Sequence, residues 1–339
     1  MNSRQIAVKI LRQILEEGAY SNIVLRNSLN KYELKEQDRG LITEIVYGTL
    51  KYRYTIDSIL SSMVRDPLDK VDKDILNILR ISIYQFRYLD KVPEYAVVNE
   101  GVNLAKKVSL GAGKFVNGVL RNYLRSKEGD FKVKPGIINE LCFKYSFEKW
   151  MVKLFLDQYG REAAEKILNG LNSIPPVTIR INTLKSNYDD VFKRLVELNY
   201  TAEEGEVCPE AVKLIKGSSV ENNPLFKEGL FTVQDESAML ASLALDVREG
   251  MKVLDICAAP GGKSTHMAEL MNDEGSIYSV DLYEHKVKLI GDNASRLGIH
   301  NIEPHIMDAG VFNEKLVEKF DRVLVDAPCS GLGIIRKKP

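Results

Sequence analysis

Nowhere in the 339 residues does an apolar run approach the ~20 residues that a membrane-spanning helix requires. The start, Met1-Asn-Ser-Arg-Gln5, leads straight into an amphipathic pattern and lacks the apolar core of a secretory signal. Both absences predict a cytoplasmic protein with no membrane partner. Cysteine is scarce too. Cys142, Cys208, Cys257 and Cys329 are scattered with no Cys-x-x-Cys pair, so neither a zinc site nor a disulfide framework is indicated; reduced thiols and no metal are expected. Net charge is also missing, with 47 Lys+Arg against 47 Asp+Glu, which taken alone argues against a nucleic-acid binder.

The zero conceals an asymmetry. Residues 1–134 hold 23 Lys+Arg against 16 Asp+Glu, so a chain with 47 of each leaves 24 against 31 for the remainder. A basic front half suits a solvated helical surface and a phosphate-contacting face about equally. With 45% apolar and 28% charged residues, the composition is that of a folded soluble protein. The length exceeds a comfortable single core and predicts two or three domains.

Periodicity divides the chain. Between Ser3 and about Ser126 the apolar spacing is helical, beginning with a stripe of Ile6, Ile10, Leu11, Ile14 and Leu15 that Gly18 ends. Further helices are predicted over 22–32, 36–63 with a break near Gly48, 72–89, 95–107 and 113–125, with Pro67 and Pro93 in the connections. Gly129–Gly136, with Pro135 inside it, reads as a linker, and Ile137–Leu171 looks helical again. After Pro175-Pro176 the period changes to two in Val177-Thr-Ile-Arg-Ile-Asn182, a strand, followed by a helix over 189–198 and strand-like segments at 214–215 and 230–233. From Ser237 the order becomes helix 238–245, strand 252–256, helix 264–271, strand 276–281, helix 284–297, strand 302–307 and strand 322–326. Strands alternating with helices predict a doubly wound parallel sheet. Four strands would leave an edge and part of a face uncovered, so the polypeptide is expected to be truncated.

Chemistry is concentrated where those last strands end. Outside the carboxyl ends of parallel strands lies the ligand crevice of such sheets. After Ile256 the small-residue turn Cys257-Ala258-Ala259-Pro260-Gly261-Gly262 lets a ligand approach the backbone, and the helix that follows offers free amide hydrogens to an anionic group. Asp281 closes the second strand, where an acid can accept from both ribose hydroxyls, and Asp308, just past the third, is placed for an adenine edge. ATP competes as ligand, because Gly262-Lys263-Ser264 matches the end of a phosphate-binding loop and Arg322–Asp326 could follow it; yet position 257 is Cys where that loop needs Gly. A dinucleotide would need outer glycines that are missing here. S-adenosylmethionine needs only the glycine turn and the acids. Across the crevice, Asp326-Ala-Pro-Cys-Ser-Gly331 sets Cys329 beside a carboxylate, a pair suited to cytosine C5 methylation: a thiolate adds to C6 while Asp326 holds the N3/N4 edge. Cys142 and Cys208 are read as buried filler.

These residues resemble the bacterial small-subunit rRNA 5-methylcytosine methyltransferases of the RsmB/Sun/Fmu family. Asp38–Leu50 and Phe115–Arg121 look like the NusB-type helical domain of that group, and Pro175–Asn182 and Val233–Ala238 look like its middle RNA-binding segment and the entry to its catalytic domain. The resemblance implies an all-α NusB-like RNA-binding domain over 1–128, a small α+β RNA-binding module over 137–234, and the N-terminal part of a Rossmann-like methyltransferase domain over 235–339. It implies cofactor binding by Cys257 to Lys263, ribose contact by Asp281, adenine contact by Asp308 and a catalytic-pocket role for Asp326. In similar RNA enzymes the nucleophile lies in a Thr-Cys loop after the next strand, and the Pro-Cys cysteine, here Cys329, assists product release. Related DNA enzymes instead use that cysteine as nucleophile. Small-subunit (16S) rRNA is then the expected partner, with no DNA and a monomeric protein. Two rival readings are an ATP-hydrolysing protein using Lys263 and Asp326, and a non-enzymatic RNA-binding or antitermination protein.

Overall fold

Asn2 opens the first helix by accepting the Gln5 amide hydrogen, and Gly18 closes it in the left-handed conformation at φ 69°. Of the predicted stripe, Ile6, Ile10 and Leu11 are buried, and Ile14 and Leu15 pack partly buried against the same core. The computed structural model describes residues 2–126, 131, 133–173 and 175–336. Gly129, on which the expected linker opens, lies outside them, as do Glu128 and Pro339 at the ends of two expected domains. The chain divides into two compact units, Met1–Ile174 with Leu332–Pro339, and Pro175–Gly331.

The first unit is helical among the described residues: α1 (Ser3–Glu17), α2 (Ser21–Lys31), α3 (Glu36–Lys51), α4 (Arg53–Met63), α5 (Lys73–Tyr88), α6 (Glu94–Lys106), α7 (Leu110–Arg125), α8 (Ile137–Tyr145) and α9 (Lys149–Asn172). The predicted break near Gly48 falls instead at Tyr52, which is the cap shared by α3 and α4. Gly48 is small for a different reason. A Cβ there would sit 1.9 Å from the Tyr84 ring, which is buried against α3 and donates its hydroxyl to Glu44. The predicted 137–171 helix is interrupted by Ser146 at φ 61°, and α9 itself is kinked at Gly160 (φ 71°). These two helices pack with the N-terminal ones: Thr55 Oγ1 donates to the Phe143 carbonyl at 2.6 Å, and Lys51 Nζ to that of Asn172 at 2.5 Å. Sequence grouped 137–171 with the strands after it; by packing it sits in the first unit.

In the second unit, β1 (Val177–Ile181), α10 (Tyr188–Glu197), β2 (Thr201–Glu204), β3 (Ala211–Lys216), α11 (Pro224–Lys227) and β4 (Phe231–Val233) form an antiparallel sheet in the order β2-β3-β1-β4. This βαββαβ succession with that order is the ferredoxin-like arrangement. Strand β2 is mostly exposed, so no alternation announced it in the sequence. There follow α12 (Glu236–Ala244), β5 (Lys252–Ile256), α13 (Gly262–Leu270), β6 (Ser276–Asp281), α14 (Glu284–Leu297), β7 (Ile302–Ile306) and β8 (Arg322–Val325). The last four strands are parallel, in the order β7-β6-β5-β8. The chain winds from β5 outward through β6 to β7 and then crosses back to β8, so the direction of winding reverses between β5 and β8. Val253, Ile277 and Ile302, in register across the sheet, bury against Met267, Ile290 and Leu297 of α13 and α14. Among the described residues no helix is long and apolar enough to cross a membrane.

Candidate active site

The reversal between β5 and β8 sets the loops that follow these two strands side by side, which is where an open α/β sheet places its ligand. After β5 the backbone turns tightly. Cys257 adopts φ 63° and Gly261 φ 100°, with a cis Ala259–Pro260 peptide between them. The turn is held from outside: the Ala258 amide donates to the Val280 carbonyl at 2.8 Å, and Asn293 Nδ2 of α14 donates to the Pro260 carbonyl at 2.8 Å. Gly261 leaves little room for a side chain, since a Cβ would lie 3.2 Å from the Ile290 Cα. The first turn of α13, from Gly262 through Lys263, therefore begins directly above the strand end with its amide hydrogens unpaired within the helix.

Asp281 ends β6 beside this turn and is buried. Its Oδ2 accepts weakly from the Ala259 amide at 3.4 Å, while Lys286 Nζ lies 3.6 Å from Oδ1. An acid so placed keeps one edge near the turn, as a ribose partner must. Asp308 lies exposed past β7 and accepts the Gly310 amide at 2.8 Å, the usual occupation of a turn-forming Asp. On the other side of the reversal, Asp326 is 54% exposed and bonds Lys263 Nζ through Oδ2 at 2.5 Å. The two loops are thus joined by their charged members. Cys329, three residues further on, is exposed with a free thiol.

Beneath the turn is a further acid, on the last strand before it. Asp255 is 1% exposed, and its Oδ2 accepts Ser264 Oγ at 2.5 Å, which in turn accepts Ser279 Oγ at 2.9 Å. Burial raises its pKa from 3.8 to about 6, against the opposing pull of the Ser264 hydrogen bond and the Lys263 charge. Asp255 Oδ1 has no hydrogen-bond partner among the described residues. An orphaned buried carboxylate oxygen, a glycine cradle that a Cβ would fill, and unpaired helix amides suit a small ligand bearing both a positive and a negative group. A polyphosphate suits it less, because Lys263, which would have to reach the phosphates, is bonded to Asp326. Sequence reasoning also missed Arg180, read there only as one polar position of an alternating strand; it is fully buried and reaches the Gly262 carbonyl at 2.9 Å.

Known proteins resemble this chain over nearly its whole length. Family models match the chain in three places: the NusB family over residues 1–125, a ferredoxin-like domain of RsmF/B-like methyltransferases over 147–221, and the 16S rRNA methyltransferase RsmB/F over 242–339. A Bacillus subtilis (strain 168) protein described as a probable ribosomal RNA small subunit methyltransferase B is 42% identical over 339 residues, covering 99% of this chain and 75% of that one. Among solved structures, that of PH0851 is similar over 100% of this chain and 77% of its own, with TM-score 0.78 and 26% identity. A methyltransferase homolog protein from Pyrococcus horikoshii is similar over 58% of this chain and 65% of its own, with TM-score 0.52 and 31% identity.

Proposed function

The chain belongs to the ribosomal RNA small subunit methyltransferase B family, and from that premise we propose that it methylates C5 of a cytosine in small-subunit (16S) rRNA through a cysteine adduct at C6. S-adenosylmethionine, when bound, supplies an electrophilic methyl group on a sulfonium. The observation that carries the reading is the Lys263–Asp326 bond, which joins the cofactor turn to the Asp-Ala-Pro-Cys loop where the winding of the sheet reverses. In this assignment the α13 amides and the turn from Cys257 to Lys263 hold the methionine end of the donor, its carboxylate against the helix N-terminus. Asp281 takes the ribose hydroxyls and Asp308 the adenine edge.

Cytosine C5 is too poor a nucleophile to attack a sulfonium unaided. A thiolate that adds to C6 breaks the 5,6 double bond and turns the ring into an enamine-like nucleophile at C5. Asp326, steadied by the Lys263 ammonium, holds the N3/N4 edge and favours protonation there. After transfer a base removes the C5 proton, the sulfur leaves C6 and the double bond re-forms. The target base must lie in an unpaired loop or be extruded from its helix. The same chemistry can serve cytosine in DNA, so the preference for RNA as substrate rests on the family to which the chain belongs.

Incubation with tritiated S-adenosylmethionine and unmodified small-subunit rRNA, followed by nucleoside analysis, tests the reading: label is expected in 5-methylcytidine, and label in any other nucleoside would refute it. A Cys329→Ser variant separates the two roles open to that thiol. Complete loss of RNA adducts marks a nucleophile, whereas adducts that resist denaturation and accumulate mark a residue needed for release.

A further inference from the structure

The antiparallel sheet holds one charged residue that no solvent reaches. Arg180 of β1 is 0% exposed, and all five of its N–H donors are used. Nε and Nη2 form a fork on Glu269 at 2.9 and 2.8 Å, with the second Nη2 hydrogen on Thr265 Oγ1 at 3.1 Å. Nη1 donates to the Gly262 carbonyl at 2.9 Å and to the side-chain oxygen of Gln234. Gly262, Thr265 and Glu269 succeed one another along one face of α13, at spacings of three and four residues. The neighbouring half-buried acid, Glu210, lies apart from this network, 2.9 Å from His266 Nε2. A guanidinium spread over the first two turns of one helix fixes both its height and its rotation.

Stability alone does not call for this device, since a buried ion pair is commonly matched or exceeded by apolar side chains of similar volume. Its placement is more specific. The Gly262 carbonyl and the Lys263 amide belong to one planar peptide unit and point in opposite directions. Holding the carbonyl from the antiparallel sheet aims the amide hydrogen at the strand-end crevice. We infer that Arg180 is a positioning residue for the cofactor site: it orients the Gly262–Lys263 peptide toward the carboxylate of the methyl donor, and so makes donor affinity depend on a side chain of the ferredoxin-like module. The inference rests on the reading of Cys257 to Lys263 as the donor's turn.

Titration calorimetry with S-adenosylhomocysteine, paired with thermal denaturation of the same full-length samples, tests it. Arg180→Lys keeps the charge beside Glu269 but replaces a planar fork by a single ammonium, and Thr265→Val removes one acceptor. The double variant R180M/E269L replaces the ion pair by apolar volume. The expected result is that R180K and the double variant bind at least roughly tenfold more weakly, the equivalent of one well-made hydrogen bond, and that the double variant, which leaves no buried charge unpaired, keeps a melting temperature close to that of the unaltered protein. Affinity within twofold of the unaltered protein in R180K overturns the inference alone. So does an affinity loss that merely follows the melting temperature across the three variants, because that is the behaviour of a structural residue. Absence of binding by the unaltered protein overturns the reading of the turn, and the inference with it.

Discussion

Replacement of Asp255 by Asn should make the protein more stable at neutral pH, and the gain should vanish in acid. The carboxyl is 1% exposed and its pKa stands at about 6 against 3.8 for a solvated Asp, with desolvation as the main cause. An acid with a raised folded-state pKa keeps a proton that the unfolded chain has already released, so stability is greatest below pH 3.8 and falls as pH rises through about 6. A shift of about two units corresponds to roughly 3 kcal/mol. Asn preserves the volume and the acceptor for Ser264 Oγ and carries no charge to bury. The stability difference, Asn variant minus unaltered protein, should therefore grow by about 3 kcal/mol between pH 3 and pH 7 and then level off. Urea denaturation followed by circular dichroism at half-unit pH intervals measures it. Parallel pH profiles for the two proteins would refute the reasoning, since they would mean that Asp255 titrates alike in the folded and unfolded chains.

The remaining expectations concern neighbouring positions. Gly261→Ala, at φ 100° and 3.2 Å from the Ile290 Cα, should cost about 1–3 kcal/mol, whereas Gly262→Ala, whose Cβ meets nothing nearer than Gln234 at 3.9 Å, should stay within about 0.5 kcal/mol yet weaken S-adenosylhomocysteine binding; equal melting temperatures for the two would count against the turn described. Lys263→Met and Asp326→Asn should each lower methyl transfer by roughly 10²–10⁴, with little change in denaturation midpoint because Asp326 is half exposed. Gly48→Ala drives a methyl group into the Tyr84 ring and should destabilise the helical unit by about 1–3 kcal/mol, a loss that the additional change Tyr84→Leu should partly reverse in thermal melts.

The parallel sheet was legible because α13 and α14 join β5, β6 and β7 in strand–helix alternation, and Ile256-Cys257 and Val325-Asp326 mark strand ends by an abrupt change from apolar to small or acidic residues. Strand β2 was not, since Thr201–Glu204 is largely exposed and takes its extended form from pairing with β3. Gly48 was misread for a physical reason: a glycine within a helical pattern looks the same whether it ends the helix or admits a partner's ring. Ser146 was passed over because polar residues in left-handed conformation leave no periodic trace. In the site, the strand-end acids could be found one by one, but the pairing of Lys263 with Asp326 depends on the strand order, which no local pattern encodes. Arg180 was hidden most completely, as an arginine alternating with isoleucines reads as the wet face of a strand; here that face meets α13 and Gln234.

Asn182 follows β1 and donates from one side-chain nitrogen to the carbonyls of Gly229 and Leu297, while its oxygen accepts the Leu184 amide. One buried amide thus ties the end of α14 to the antiparallel sheet and opposes a hinge there. Any RNA gripped by that sheet would meet the strand tips at a constant span, as work clamped in a jig meets the tool. Choice among target bases would then fall to the shape of the RNA, which must bend to the gauge.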